Sequence, residues 1–158
     1  MTRERKQEYT VRVSQANKTQ LVVIIYEMLL DYLQDAKDAH TKGERELFES
    51  NLYKAENCIR ELMASLHMEY APAGNLFSLY VYAVKELSRA ILHNSIEEVV
   101  FVEKMMKKLH DAYESVSRED TSSPVMENTQ SIYAGLTYGK NQLMESLSNE
   151  GSLRGIRA

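Results

Sequence analysis

The chain has 158 residues, a formal net charge of −4 and one cysteine, Cys58. That is enough for one domain with a sizeable core; no Lys/Arg run is dense enough to follow a phosphate backbone, which argues against nucleic acid. A lone thiol excludes an internal disulfide and fits a reducing compartment, and six Gly and two Pro leave few turns for a β-protein.

Residues 1–16 read as a polar N-terminal arm in which Arg3, Arg5 and Lys6 alternate with Glu4 and Glu8, with no apolar stretch of the kind a secretory leader needs. Residues 17–119 read as a helical bundle. The first of its helices should start near Asn17, whose side chain caps the backbone while Gln20 reaches back. It should run to about His40, with Gly43 as its stop. The second is expected from about Glu44 to Met68, ended by Pro72 and Gly74. The third covers roughly Asn75 to His93. The fourth opens on Ser95-Ile96-Glu97-Glu98, a capping-box pattern, and runs to about Val116.

Helix two carries the cleanest seam: Phe48, Leu52, Ala55, Ile59, Leu62 and Leu66 recur at steps of four and three. Helix four repeats it with Val99, Val102, Met106, Leu109, Tyr113 and Val116. Short connections make successive helices antiparallel. The expected fold class is therefore all-α, an antiparallel four-helix bundle with room for short extra helices at the termini. From Thr121 the texture turns to small polar residues and Gly, which predicts a mostly flexible C-terminal tail over residues 120–158.

Two helices carry more apolar surface than a bundle needs. Helix one reads Leu21, Val22, Val23, Ile24, Ile25, Tyr26, then Met28, Leu29, Leu30, Tyr32 and Leu33, apolar almost all round. Such a helix must be covered on its outer side, either by other segments of the chain or by a partner. Helix three carries Leu76, Phe77, Leu79, Tyr80, Tyr82, Ala83, Val84, Leu87, Ala90, Ile91 and Leu92, which make more than one stripe. Ten Tyr and eight Met without Trp suit an adaptable apolar groove.

No chemistry-bearing pattern is present. There is no Gly-rich phosphate loop, nucleophile elbow or CxxC pair. His40, His67, His93 and His110 lack the Glu three residues upstream that a helical di-iron site requires, so no metal and no cofactor is expected. They read as surface residues, and Glu56, Glu61, Glu97 and Glu98 as members of solvated faces. The longest apolar run, Leu21 to Tyr26, is far short of the roughly 20 residues that span a bilayer. A cytoplasmic, non-enzymatic protein is expected.

The order of short motifs resembles the flagellar secretion chaperone family FliS. The residues that carry the resemblance are Gln15 to Leu21 followed by Ile24-Ile25-Tyr26, then Lys54-Ala55 through Glu61-Leu62, then Asn75-Leu76 with Leu79-Tyr80 and Tyr82, and finally Asp111-Ala112-Tyr113. Three positions depart from the family pattern: Lys18 stands where Pro is usual, Tyr113 where Trp is usual, and the tail from Thr121 has no general counterpart.

The resemblance implies an export chaperone whose client is the disordered C-terminal segment of flagellin, held in hydrophobic grooves so that it does not polymerise before export. Components of the export gate would be further partners. It also implies that the N-terminal segment, here Tyr9 and Val13, covers part of the groove when no client is bound. The apolar excess nominates Leu21, Ile24, Ile25, Met28 and Leu29 as groove floor and Tyr80, Tyr82 and Leu87 as walls. Ile132, Tyr133, Leu136 and Tyr138 of the tail are candidates for a second cover. The competing reading is an interaction module whose apolar surplus forms a stable homodimer.

Overall fold

A computed structural model describes residues 1–126, which form five α-helices and no strand. They are α1 (Arg3–Gln15), α2 (Lys18–Thr41), α3 (Arg45–Ala64), α4 (Ala71–His93) and α5 (Glu97–Glu119). The tail residues Ile132, Tyr133, Leu136 and Tyr138 lie outside the described residues.

Local chemistry accounts for most boundaries. Asn17 and Gln20 form the reciprocal cap at the start of α2: the Gln20 N–H donates to Asn17 Oδ1 at 2.8 Å, and the Asn17 N–H to Gln20 Oε1 at 2.9 Å. The Asn17 cap therefore starts the helix with Lys18 at its first position. The far end of α2 is closed by Gly43, whose φ of +73° suits a residue without Cβ. There the Glu44 N–H returns to the Ala39 carbonyl at 2.9 Å. Asn94, at φ 51° and ψ 47°, closes α4 in the same left-handed conformation.

Four boundaries differ from expectation. Helix α3 ends at Ala64, short of Met68, and Pro72 and Gly74 belong to the next helix instead of ending this one. Residues 3–15 of the arm are a full helix, capped by Thr2, whose hydroxyl accepts from the Arg5 N–H at 3.2 Å. Helix α4 starts at Ala71 rather than Asn75, so that Pro72 sits inside its first turn, where an amide donor is not needed. At α5 the expected box does not form: Ile96 is the capping residue, and the Ser95 hydroxyl instead donates to the Glu98 carboxylate.

Helices α2 to α5 pack in a closed ring, α2 on α3, α3 on α4, α4 on α5 and α5 back on α2, with α1 lying on α2. Cross-links fix the directions. Lys37, late in α2, pairs with Glu103, early in α5, at 2.7 Å, while Tyr26 near the start of α2 stacks near Tyr113 late in α5. Those two helices run antiparallel. Tyr26 meets Tyr80 of α4, and His40 meets the Asn94 carbonyl at the other end, so α2 and α4 run the same way across the ring.

The ring encloses the main core. Leu29, Leu33, Phe48, Leu52, Ile59, Leu62, Leu87, Val99, Val102 and Met106 are all wholly buried there. The helix-two seam thus points inward along its length, with Leu66 half-buried beyond the end of α3. Cys58 belongs to this core, and burial pushes its thiol up to about 11, leaving little thiolate at neutral pH. Glu56 is a correction to the solvated-face reading. It is buried between α3 and α4, where its carboxylate accepts from the Ser88 hydroxyl at 2.9 Å and faces Arg60 at 3.7 Å.

Candidate functional site: the apolar face of α2 beneath α1

Helix α2 divides its circumference between two layers. Tyr26, Leu29, Leu33, Ala36 and Ala39 turn into the main core, with Val22 and Ile25 packed half-buried beside them. Ile24 turns the other way, 3% exposed, and with Tyr9 and Ala16 forms a second, smaller cluster. Leu21, Met28, Val13 and Met1 pack around it. The outer apolar side of α2 is therefore covered by a segment of the same chain.

That cover is a polar helix. Tyr9 is the only residue of α1 that is fully buried. Its ring sits on Ile24 and its hydroxyl donates to Asp31 Oδ2 at 2.8 Å. Burial first, and then this bond, holds the Tyr9 hydroxyl well above its ordinary pKa, so it stays protonated and donating. Arg5 Nε donates to the same carboxylate oxygen at 2.9 Å. Arg12 grips Glu27 with both terminal nitrogens, Nη2 donating to Oε1 at 2.7 Å. Both guanidinium groups lie over the Tyr9 ring, with carbons 4.7 and 5.7 Å from its centre. One aromatic plug and two arginine latches hold α1 down.

Openings flank the lid on both sides. One, of about 390 Å³, lies between α1, α2 and the end of α5, lined by Ala16, Val23, Ile24, Glu114 and Ser117 among others. The other, of about 580 Å³, is mostly apolar and is lined by Met1, Tyr9, Val13, Met28, Tyr32 and Met126, with Lys6, Thr10 and Ser14 at its polar parts. A trough with a helix lying in it has this cross-section.

The nominated residues fall in three places. Leu21, Ile24 and Met28 come together under Tyr9 and Val13. Ile25, Leu29, Tyr80 and Leu87 belong to the main core, the last three wholly or almost wholly buried. Tyr80 shares a hydroxyl–hydroxyl hydrogen bond with Tyr26 there, and burial pushes it up to about 12. Tyr82 lies apart, 44% exposed on the α4–α5 face, its ring edge-on to Phe101 at 6.0 Å. Leu79 and Val100 are exposed on the same two helices.

Sequence reasoning missed Phe101 and the latch. Phe101 falls off the Val99–Val102 seam and so marks an outward apolar position. The latch also left a trace: Glu27 and Asp31, four apart, are the charged residues that interrupt the apolar stretch from Leu21 to Leu33, and Arg5 and Arg12 are seven apart on the arm.

A sequence model described as "Flagellar protein FliS" matches residues 1–120, which takes in all five helices. The chain belongs to the FliS family. This is a family of flagellar export chaperones and not of enzymes. No curated protein matches the chain. Among the described residues of this FliS chain no group of His, Cys, Asp and Glu is placed to hold a metal ion, and no helix is long and apolar enough to cross a membrane. The match ends at Asp120, one residue past α5, so the stretch from Thr121 onward lies beyond it.

Proposed function

We propose that this FliS-family protein is a cytosolic chaperone that binds the disordered C-terminal segment of flagellin in apolar grooves, keeps it from polymerising and helps deliver it to the flagellar export apparatus. The supporting framework is an antiparallel four-helix bundle with α1 as a removable cover. One observation carries the reading: the apolar outer face of α2, with Leu21, Ile24 and Met28, is closed by a helix that buries one side chain, Tyr9, rests a second, Val13, half-buried beside it, and is otherwise held by ion pairs and a hydrogen bond to Asp31. A surface meant to stay shut would be sealed by apolar packing, as the main core is.

In this reading Leu21, Ile24 and Met28 form the floor that a client helix occupies after Tyr9 and Val13 leave. Ile25, Leu29, Tyr80 and Leu87 hold that floor rigid from within. The exposed pair of Tyr82 and Phe101 continues the apolar contact around the bundle for an extended client. Wrapping matters energetically, because ordering a disordered segment consumes on the order of 2–5 kcal/mol of the interaction, which burial of roughly 1,000–3,000 Å² offsets.

Isothermal titration calorimetry against a peptide from the C-terminal end of the same organism's flagellin tests this. One-to-one binding with a large negative heat-capacity change is the expected result. Met28→Asp should weaken binding while circular dichroism stays unchanged. Absence of heat at several temperatures, together with a concentration-independent dimer in analytical ultracentrifugation, would replace the reading by that of a homodimeric interaction module joined through the Tyr82–Phe101 face.

A further inference from the structure

The seven residues after α5 do not leave the molecule at the end of the helix. They turn back over the corner where α1 joins α2. The Asn17 side-chain amide donates to the Asp120 carbonyl at 3.2 Å and to the Ser122 carbonyl at 3.3 Å. The Thr19 hydroxyl donates to the Asp120 carboxylate, whose other oxygen accepts from the Ser122 N–H at 3.0 Å. Farther on, the Val125 N–H donates to the Ala16 carbonyl at 3.0 Å, and Met126 reaches the wall of the cavity that Tyr9, Val13 and Met28 share.

The place is mechanically special. Ala16 and Asn17 are the only residues between α1 and α2, both almost fully buried, so any swing of α1 away from α2 must turn about them. Asn17 has no spare hydrogen-bonding group. Its Oδ1 and N–H close the α2 cap, its carbonyl accepts from the Leu21 N–H at 2.9 Å, and both hydrogens of its amide go to the strap. A buried polar group loses much when a partner departs, so the strap and the hinge are tied.

We infer that Asp120–Met126 is a strap of the chain's own that clamps the α1–α2 hinge and so holds the α1 lid closed over the α2 groove, an autoinhibitory contact that a client must release in addition to the arginine latches. The inference rests on the reading of α1 as a lid. All but Asp120 of the strap lies beyond the family match, so the device is an addition to the part of the chain that the family describes. A lid with two independent fasteners opens less often, and the apparent affinity of any ligand that needs it open falls with the open fraction.

Two substitutions in the full chain separate the strap from the fold. Val125→Pro removes the donor to Ala16 at a position outside every helix. Asn17→Ser keeps a good helix cap but deletes the amide that holds the strap. Each should speed hydrogen exchange in α1 and tighten binding of the flagellin C-terminal peptide by about three- to tenfold, as loss of one or two hydrogen bonds allows. Exchange in α3 should stay unchanged. Tyr9→Ala, which unplugs the lid itself, is the control. If Tyr9→Ala loosens α1 and tightens binding while neither strap variant does, the strap inference is overturned and the lid stands. If Tyr9→Ala also leaves affinity unchanged, the lid reading fails and the strap has nothing to regulate.

Discussion

The two apolar clusters of this protein are built to opposite specifications. In the ring of α2 to α5, large side chains from all four helices are wholly buried, and polar groups meet there in pairs such as Tyr26 with Tyr80 and Glu56 with Ser88. In the layer beneath α1, only Tyr9, Ala16 and Ile24 are buried, a few half-buried apolar side chains pack around them, and the rest of the attachment is made by Arg5, Arg12, Glu27 and Asp31 at partly exposed positions. Apolar packing is strong and cannot be released in parts. Exposed ion pairs are weak, exchange readily with water and break one at a time. The same helix, α2, serves as a structural wall on one side and as a surface that can be uncovered on the other.

The contrast can be broken first on the structural side. Leu33→Ala should destabilise the whole protein by about 2–5 kcal/mol, because the site is enclosed on all sides and cannot collapse fully into the cavity. Denaturant unfolding followed by circular dichroism measures it; a loss below about 1 kcal/mol would show that the ring is loosely packed.

Next in size is the tyrosine pair. Tyr80→Phe leaves the Tyr26 hydroxyl buried without its partner and should cost about 1–3 kcal/mol, while the double change to Phe at both positions should recover most of the loss. The same pair sets an alkaline limit. Both hydroxyls are raised by burial, Tyr80 to about 12, so the native state favours their neutral forms. Their contribution is fully present below about pH 10, the unfolded value, and is lost as pH rises from there towards about 12. The melting temperature should fall across that window, and less so in the double Phe variant.

Smaller effects belong to the lid. Arg12→Ala removes the paired contact with Glu27 and should change global stability by only about 0.2–1 kcal/mol. Local exchange in α1 should rise far more than that figure implies for the ring, and raised salt should act in the same direction. Smallest of all is the strap's response to acid. The Thr19 hydroxyl first, and then Ser122, hold the Asp120 carboxyl below its ordinary value. The contact is therefore present above about pH 4 and lost as pH falls below that; because the Glu27 and Asp31 latches are common to both chains, α1 exchange corrected for intrinsic rates should rise there more in the native chain than in Asp120→Asn.

How far the sequence could be read follows the same division. Where one face is apolar and the other polar, spacing decides the outcome: the Phe48–Leu62 seam of α3 is buried as its periodicity demands, and the Asn17–Gln20 and Gly43 signals mark the ends of α2. Where a helix is apolar all round, spacing is silent about which side faces what. Leu29 and Ile24 are equally apolar five residues apart, yet one lies in the main core and the other under α1. Helix α1 is hidden because its fastening is polar and depends on partners 26 and 15 residues away in sequence, Arg5 with Asp31 and Arg12 with Glu27. The start of α4 was obscured by Pro72, a residue that breaks helices in their interior but is tolerated in their first turn.

Native-state hydrogen exchange of the full chain, with and without the flagellin C-terminal peptide, tests the central claim most directly. If α1 is a lid, its amides exchange through openings that cost far less than global unfolding, while those of α3 around Leu52 and Ile59 exchange only with it. Added peptide should then expose α1 further and protect α2 around Ile24 and Met28. Exchange of α1 at the same free energy as α3, with no loss of its protection when the peptide binds, would contradict the account and make α1 a fixed part of the fold.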